Sequence, residues 1–325
     1  MVGKVALEEH FVTRELEELI SNPGWPADAW RRVLDTLADV GDARIGLMDR
    51  CGIELAVLSL GSAGIQGEPD AARAIELAVR ANDALSRIVT SRPDRYAGFA
   101  ALPMQDPDSA AAELGRAVSE LGMKGSLVNG FSNLGDSDTG IYYDDPRFDV
   151  VWERHQQLNV PFYLHPRNPL PGQRRIYEGR PELLGPTWAF GVETATHALR
   201  LITGGVFDRF PRLNVILGHL GELLPFALHR LEQRLTRVPE VNLSRPVRAY
   251  LRENFYLTTS GNYHTQSLVG ILLELGPDRL MFAADHPFEE MEDGATWLDR
   301  VEIAEPDREK IARANAERLL RLSLS

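Results

Sequence analysis

The chain has very little cysteine, no long apolar run and an excess of acidic over basic residues. Cys51 is the single cysteine among 325 residues, which excludes an internal disulfide framework and is typical of a reducing compartment. No apolar stretch approaches the roughly 20 residues that span a bilayer, and no charged and hydrophobic leader precedes the strand-like KVAL. The formal charge of -12 argues against nucleic acid as a partner, because phosphates attract basic surfaces. We therefore expect a cytoplasmic protein that binds neither membranes nor nucleic acid.

The sequence also lacks a glycine-rich dinucleotide or phosphate fingerprint after its first strand-like run, and it has no linker or low-complexity segment. A chain of this length with 44% hydrophobic residues is large enough for one barrel-sized domain with a buried core. Cys51 has apolar neighbours and is expected to be an inert core thiol. We predict a single domain that spans residues 1–325.

Eight short apolar runs alternate with helical patterns along the chain. This alternation is typical of an α/β fold, and eight repeats favour a closed parallel (β/α)8 barrel, the TIM barrel, over an open sheet. The predicted strands lie near residues 4–7, 53–60, 96–102, 124–128, 161–165, 213–218, 254–259 and 279–284. The predicted helices cover residues 69–91, 108–121, 147–158, 188–205, 221–236, 264–275 and 306–322, with Asp108 as the cap of the second.

Three long irregular segments follow predicted strand ends, at residues 20–30, 129–146 and 166–187. Segments of this length are usually functional loops. In a (β/α)8 barrel the loops that follow the strands surround one common mouth. We expect these long βα loops to cover the mouth and to roof a small cavity with four aromatic residues, Trp25, Tyr177, Trp188 and Phe190.

Five ionisable residues stand where predicted strands end: Glu8, His10, His165, His219 and Asp285. A parallel barrel brings the carboxyl ends of all its strands to one face, so these residues are expected to meet there although they are far apart in sequence. A single strand-end histidine is more often a satisfied structural residue than a ligand. Ligand-type residues at four independent strand ends, however, predict a metal site.

The first strand carries two of the candidate ligands. Glu8 and His10 are two residues apart, so their side chains share one face of the strand while Glu9 points to the other. A carboxylate combined with neutral imidazoles suits zinc or a comparable divalent ion. His165 and Asp285 would complete a set of four protein ligands.

His219 lies in the motif GHLGE, which has the pattern of a tight corner between a strand and a helix. Its imidazole is either a further ligand or a proton-handling neighbour, with Glu222 placed to set its tautomer. His286 directly follows Asp285, and the alternation of a strand would turn it away from the metal. We interpret His286 as a residue of the pocket edge or of the packing.

Arg230 follows on the predicted helix 221–236 and has two interpretations. Its guanidinium either lies near the pocket, where it would suit an anionic oxygen, or forms a salt bridge on the helix surface. Among the other histidines, His155 and His229 are expected on exposed helix faces. His197 and His264 fit either a helix surface or the surroundings of the pocket.

Eight segments spread over nearly the whole chain resemble one family: GKVALEEHF, RIGLMDRCGIE, FAALPMQDPD, VPFYLHPRNPLP, LLGPTWAF, ILGHLGE, NFYLTTSGN and RLMFAADHPFE. They are similar to the amidohydrolase superfamily and, within it, to the metal-dependent nonoxidative decarboxylases of hydroxybenzoates. The resemblance implies one divalent metal ion, manganese or zinc, and four ligands for it, namely Glu8, His10, His165 and Asp285. It also implies three residues that line the site, His219, Glu222 and Arg230.

The same resemblance implies a small aromatic carboxylic acid as substrate and assembly as a homo-dimer or homo-tetramer. The expected reaction is loss of CO2 from an ortho-hydroxybenzoic acid such as 2,6-dihydroxybenzoate after protonation of the ring carbon. Asp285 would donate that proton, while Arg230 and Asn129 would steady peripheral oxygens. The family usually has an aromatic residue where this chain has His286, so the substrate pocket is expected to differ there.

Two other functions are open at this point. In a metal-dependent hydrolase, a bound hydroxide would attack an ester, lactone or amide, with Asp285 as base. Many two-metal hydrolases of this fold carry a lysine at the end of the fourth strand, whereas KGSLVNG has Lys124 at the beginning. A catalytically silent binding protein would lack ligand residues, and this sequence has all four.

Overall fold

The protein is described by a computed structural model that covers residues 2–323. The predicted domain of residues 1–325 therefore includes Met1, Leu324 and Ser325, which lie outside the described residues. The strands are β1 (Lys4–Phe11), β2 (Ile53–Leu60), β3 (Tyr96–Gly98), β4 (Ser126–Asn129), β5 (Ser132–Leu134), β6 (Asp136–Ile141), β7 (Phe162–His165), β8 (Val215–Leu217), β9 (Phe255–Thr258) and β10 (Leu280–Met281).

Eight of these strands are parallel and form a closed ring. One part has the order β1, β2, β3 and the other has the order β4, β7, β8, β9, β10. A parallel bridge between Ala100 and Ser126 joins the two parts on one side. On the other side the Leu7 amide donates to the Phe282 carbonyl at 3.2 Å. The predicted (β/α)8 barrel is confirmed, and each of its eight strands lies within a predicted apolar run or overlaps one.

The barrel wall is apolar on both faces because parallel strands are covered on both sides. One buried cluster fills the interior and includes Val5, Leu7 and Ile216. The other lies between the strands and the helices and includes Ala6 and Phe11. Neighbouring residues of β1 therefore belong alternately to the inner and outer layers, as the two-residue period of a strand requires.

This alternation is shifted between Ala6 and Glu9 of β1. Ala6 pairs with Ala56 and Glu9 pairs with Leu58, so three steps along β1 match two steps along β2. An extra residue of this kind is a β-bulge, and it turns the side chains that follow to the other face. Leu7 lies in the inner cluster, and after the bulge Glu8 and His10 face the barrel axis while Glu9 faces outward.

The helices are α1 (Ala27–Ala38), α2 (Asp42–Cys51), α3 (Ala71–Ser91), α4 (Pro107–Ser119), α5 (Asp149–Leu158), α6 (Ala189–Thr203), α7 (Val206–Arg209), α8 (Leu224–Leu235), α9 (Val247–Asn254), α10 (Thr265–Leu275), α11 (Met291–Arg300), α12 (Glu305–Glu309) and α13 (Asn315–Leu320). A π-helical turn at Lys310–Ala314 joins the last two. All seven predicted helices are present, although the last is divided by this turn. No helix within residues 2–323 is both long and apolar enough to cross a membrane.

The predicted cap of α4 is wrong by two residues. The carboxylate of Asp106, rather than that of Asp108, accepts a hydrogen bond from the Ser109 amide at 2.8 Å. Pro107 then occupies the first helical position, where its missing N–H costs nothing and its fixed φ favours the helix. Asp108 lies in the first turn, which is also favourable for an acidic residue because of the helix dipole.

The three long loops do border the carboxyl ends of the strands, but all are more regular than expected, and the segment 166–187 contains three short 3-10 helices. The segment 129–146 contains the antiparallel hairpin of β5 and β6, and the segment 20–30 ends in the start of α1. The predicted aromatic roof is not formed as a closed layer. Trp25 and Trp188 are exposed, and the ring of Trp25 packs against Trp30 at 6.2 Å between centroids.

His155 is buried, which contradicts the predicted exposure. The inner face of α5 packs Trp152 and His155 against Phe162 of β7. The imidazole is hydrogen-bonded on both sides, to Ser126 Oγ and to the Val151 carbonyl, each at 2.9 Å. A buried polar ring with both nitrogens paired is a structural element of the barrel wall.

Candidate metal centre

Four side chains converge at the mouth of the barrel. Glu8 and His10 come from β1, His165 is the last residue of β7, and Asp285 follows the buried run 282–284 after β10. Each offers one ligand atom, and these four atoms lie within 4.8 Å of one another. All four residues are buried. The convergence predicted from the strand ends is therefore present in the fold.

The spacing and chemistry of these atoms fit a divalent metal ion. Glu8 Oε1 lies 3.2 Å from His165 Nε2, and His10 Nε2 lies 3.3 Å from Asp285 Oδ1. Ligands at about 2.1 Å from an ion are separated by about 3.0 to 3.4 Å in octahedral or tetrahedral sites. Glu8 Oε1, His10 Nε2 and Asp285 Oδ1 are also buried without a hydrogen-bond partner within residues 2–323. Such atoms are costly unless an ion or another group binds them.

Three hydroxyl groups hold the second oxygen of the Glu8 carboxylate. The hydroxyls of Tyr163 and Ser260 both donate to Glu8 Oε2. Thr258 Oγ1 lies 2.8 Å from each of these hydroxyls and 3.5 Å from Oε2. Because Oε2 is engaged, Oε1 is directed toward the centre, as supporting hydrogen bonds commonly orient a metal ligand.

Sequence reasoning assigned no role to these hydroxyl residues. Tyr163 lies two residues before His165 on β7, and Thr258 and Ser260 are separated by two at the end of β9. The two-residue spacing that identified Glu8 and His10 therefore also marked these residues as sharing a strand face. Ser59 is a further case, since its Oγ lies 3.2 Å from His10 Nδ1. A proton on Nδ1 shared with Ser59 leaves Nε2 free to bind a metal.

His219 and Glu222 lie on the corner that follows β8. His219, Leu220, Glu222 and Leu223 all have positive φ values, between 50° and 69°. Consecutive L-residues in this region are rare, and such strain is held by the surrounding structure, often at functional sites. The corner places His219 Nδ1 at 2.7 Å from Glu222 Oε1 and His219 Nε2 at 3.4 Å from Asp285 Oδ2.

His219 lies beside the four-residue group rather than within it. Its Nε2 is 4.0 Å from Glu8 Oε1, and its side chain is 24% exposed whereas that of Glu8 is fully buried. Of the two interpretations of this histidine, the arrangement favours the proton-handling neighbour. Glu222 accepts from Nδ1 and thereby leaves Nε2 directed at Asp285.

The electrostatics of the group follow from this packing. Burial alone would raise the pKa of Glu8, but the imidazoles of His219 and His165 hold that pKa well below its usual range. Burial lowers the pKa of His10 and favours the neutral ring that binds metals. For His219, burial opposes protonation, yet the carboxylates of Glu222 and Glu8 raise its pKa well above the ordinary value.

Other predicted site residues lie outside this group. Arg230 is exposed on α8. Asn129 ends β4 and is buried. Its main-chain N–H donates to Gln66 Oε1 at 3.1 Å, and its side-chain Oδ1 has no hydrogen-bond partner within residues 2–323. His286 is buried, and burial lowers its pKa to about 3, which agrees with a packing residue at the pocket edge.

His197 and His264, which fitted either a helix surface or the surroundings of the pocket, both lie away from the four-residue group. His197 is buried in α6, where its Nε2 accepts from the Tyr143 amide at 3.2 Å. His264 is exposed and caps α10 by accepting from the Ser267 amide. Neither imidazole contacts the four-residue group.

The amidohydrolase family profile matches residues 8–322. This chain belongs to the amidohydrolase family. A gamma-resorcylate decarboxylase from Rhizobium sp. (strain MTP-10005) is 51% identical over 326 residues, which cover 99% of each chain. A gamma-resorcylate decarboxylase from Rhodococcus jostii (strain RHA1) is 50% identical and covers 99% of each chain. The predicted resemblance of this family member to the hydroxybenzoate decarboxylases, and to gamma-resorcylate decarboxylase in particular, is confirmed.

A solved structure extends the similarity of this family member from sequence to fold. The 2,6-dihydroxybenzoate decarboxylase from Polaromonas sp. JS666, with bound manganese and the inhibitor 2-nitroresorcinol, has a TM-score of 0.95 and 50% identity. The match covers 99% of this chain and 97% of the other. The hydrolase alternative is disfavoured by the end of β4, which is Asn129 rather than the lysine expected of many two-metal hydrolases of this fold.

Proposed function

We propose that this chain is a metal-dependent nonoxidative decarboxylase of 2,6-dihydroxybenzoate or a closely related ortho-hydroxybenzoic acid. The observation that carries the proposal is the buried group of Glu8, His10, His165 and Asp285 in a chain that is 50 to 51% identical to gamma-resorcylate decarboxylases over its full length. The fold alone would not be sufficient, because barrels of this type support many reactions.

We infer that these four residues hold one divalent ion. Manganese is the ion in the related Polaromonas structure, and zinc is the alternative that the same donor atoms accept. When bound, the ion supplies Lewis acidity toward the carboxylate and the adjacent phenolic oxygen of the substrate and helps to orient the ring.

The reaction adds a proton to the ring carbon that carries the carboxylate. The bond between that carbon and the carboxylate then breaks, its electron pair returns to the ring, and CO2 leaves. One proton is consumed in each turnover because it stays on the product ring. The site therefore needs a proton donor at the reacting carbon and a route by which the donor is recharged.

Asp285 and His219 supply these two roles. Asp285 Oδ1 faces the other ligand atoms, whereas Oδ2 lies 3.4 Å from His219 Nε2. Asp285 delivers the proton, and His219 returns one to Oδ2 from its more exposed position. Glu222 holds His219 Nδ1 at 2.7 Å and thereby fixes the orientation of the ring.

The same proposal includes two further substrate contacts, a cellular location and an oligomeric state. Asn129 contributes its unpaired buried Oδ1 to a phenolic hydroxyl of the substrate, and Arg230 contributes to an anionic oxygen. We infer a cytoplasmic location, which the free and buried thiol of Cys51 supports. We also infer a homo-dimer or homo-tetramer, which light scattering of the purified protein measures directly.

A substrate panel tests the proposal. The manganese-loaded protein is incubated with salicylate, 2,3-dihydroxybenzoate, 2,6-dihydroxybenzoate and orsellinate, and CO2 release is followed. We expect release from 2,6-dihydroxybenzoate or one of its relatives. If no acid releases CO2 and an aromatic lactone or ester is hydrolysed instead, the hydrolase alternative replaces this function.

The role of Asp285 is tested separately with Asp285→Asn. The amide keeps an oxygen for the metal but has no acidic proton to deliver, so CO2 release should be abolished even in protein whose bound manganese is verified by metal analysis. His229→Gln on the exposed face of α8 is the matched control and should retain activity. Decarboxylation by metal-loaded Asp285→Asn would remove the acid role from this residue.

A further inference from the structure

Two buried ionisable side chains, Glu9 and Arg44, lie behind the four-residue group. Glu9 is fully buried and Arg44 is 2% exposed. Glu9 stands between Glu8 and His10 on β1 but points to the opposite face, toward the helix layer that includes Arg44 on α2. Charged groups are expensive to bury, and such residues are usually held by specific hydrogen bonds.

Each of these side chains holds a main-chain atom beside a candidate ligand. Arg44 Nη1 donates to the carbonyl oxygen of His10 at 2.7 Å. Glu9 Oε1 accepts from the amide of Ala284 at 2.8 Å, and Ala284 is the residue directly before Asp285. The pair therefore contacts the backbone beside two of the four ligands, from the outer side of the barrel wall.

The backbone at Asp285 is one that needs external support. Asp285 has a φ of 61°, in the left-handed region that L-residues rarely adopt. The Ala284 carbonyl accepts from the Tyr263 hydroxyl at 2.8 Å, so the amide and carbonyl of Ala284 are both held by side chains. The amide of His10 donates to the His286 carbonyl at 2.9 Å and ties β1 to the same segment.

The remaining polar atoms of the pair make few other contacts. Glu9 Oε2, Arg44 Nε and Arg44 Nη2 have no hydrogen-bond partner within residues 2–323. The hydrogen bonds to His10 and Ala284 are therefore the specific contacts that the two side chains provide. His10 Nε2 and Asp285 Oδ1 are 3.3 Å apart. They project from the opposite face of the two segments whose backbone Arg44 and Glu9 hold.

We propose that Glu9 and Arg44 are positioning residues for the metal centre, which hold the main chain of Asp285 and His10 at the spacing that a divalent ion requires. They contact neither the ion nor the substrate and act only through the backbone. This inference rests on the proposed function to the extent that a metal binds at the four-residue group.

The test compares three variants of the full-length protein. Glu9→Leu removes the acceptor for the Ala284 amide, and Glu9→Gln keeps an acceptor oxygen at the same position. Lys4→Met is the matched control, because Lys4 is also a fully buried charge on β1 but lies at the opposite end of the strand and pairs with Asp299 at 2.9 Å. Manganese affinity is measured by calorimetric titration of the metal-stripped proteins, together with kcat, KM and Tm.

We expect Glu9→Leu to weaken manganese binding by about 10- to 100-fold, the usual effect of losing a group that orients a ligand. At saturating manganese its kcat should fall while KM stays within about twofold, since the loss affects the placement of Asp285 rather than substrate binding. Glu9→Gln should remain within about fivefold of the parent in manganese affinity. Lys4→Met should lower Tm and leave manganese affinity unchanged.

A purely structural role predicts a different pattern. Glu9→Leu would then lower Tm as Lys4→Met does but bind manganese as tightly as the parent, and this result would overturn the inference. Equal weakening in Glu9→Gln and Glu9→Leu would also overturn it, because the hydrogen bond to Ala284 would not be the cause. If Glu9→Leu does not fold, Arg44→Met tests the same prediction through the His10 carbonyl. Absence of manganese binding by the parent would instead count against the proposed function.

Discussion

Replacing His155 by glutamine is expected to flatten the dependence of stability on pH. The imidazole is almost fully buried between α5 and the barrel wall. The Val151 carbonyl can only accept, so Nδ1 carries the proton and Nε2 accepts from the Ser126 hydroxyl. A second proton would place an unsolvated charge in the wall and remove the acceptor for Ser126. Burial accordingly lowers the pKa of His155 from 6.5 to about 4.

The sign of the effect follows from proton uptake on unfolding. Between pH 6.5 and about 4 the folded protein keeps His155 neutral, while the unfolded chain binds a proton there. Stability from this residue is therefore complete above pH 6.5 and is lost as the pH falls through this window. At pH 5 the unfolded form is favoured about 30-fold by this protonation, which corresponds to about 2 kcal/mol.

The assay is urea unfolding followed by tryptophan fluorescence at pH 7.5 and pH 5.0. His155→Gln lowers stability at pH 7.5 because the buried bonds are altered, but its further loss at pH 5.0 should be about 2 kcal/mol smaller than that of the parent. His229→Gln replaces an exposed histidine of α8 and should lose as much as the parent. Protonation of the metal ligands affects all three proteins alike and cancels in the comparison. Equal losses in His155→Gln and His229→Gln would refute the reasoning.

Three further predictions concern the site, a helix end and the thiol. Tyr163→Phe removes one hydroxyl from Glu8 Oε2 and should weaken manganese binding by about tenfold in a calorimetric titration; unchanged affinity would mean that Ser260 suffices. Asp106→Ala removes the cap of α4 and should cost about 1 kcal/mol in urea unfolding, whereas Asp108→Ala should cost less than about 0.5 kcal/mol. Cys51 is buried and its pKa is raised to about 11, so it should react with an aromatic disulfide reagent only after unfolding; rapid reaction of the native protein would contradict this.

The eight strands were predictable because each lies in or overlaps a short apolar run, and because these runs alternate with helical patterns. The helices α1, α2, α7, α9 and α11 were not predicted, and in the case of α2 the reason is that its sequence has no clear apolar face. Arg44 and Met48 of α2 are buried together, although one is charged and the other apolar, and only the position of α2 beside β1 explains both. The cap of α4 was placed at Asp108 because both aspartates satisfy the sequence pattern, and the choice between them depends on the backbone at Pro107.

The candidate site was also predictable only in part. Ligand-type residues stand out in sequence because carboxylates and imidazoles are unusual at the ends of buried strands. Hydroxyl residues do not stand out, since tyrosine, threonine and serine are common in strands and on their edges. The contribution of Tyr163, Thr258 and Ser260 became evident only when three distant hydroxyls met at one oxygen of Glu8.

The sequence by itself determined the fold class, the four donor residues and the family to which they point, because these depend on local patterns and on the rule that parallel strands share one carboxyl face. It also determined that Glu8 and His10 share a face. The tertiary structure decided which face this is. The bulge between Ala6 and Glu9 in the pairing with β2 turns Glu8 and His10 inward and Glu9 outward, because the register between strands depends on the partner strand and not on β1 alone.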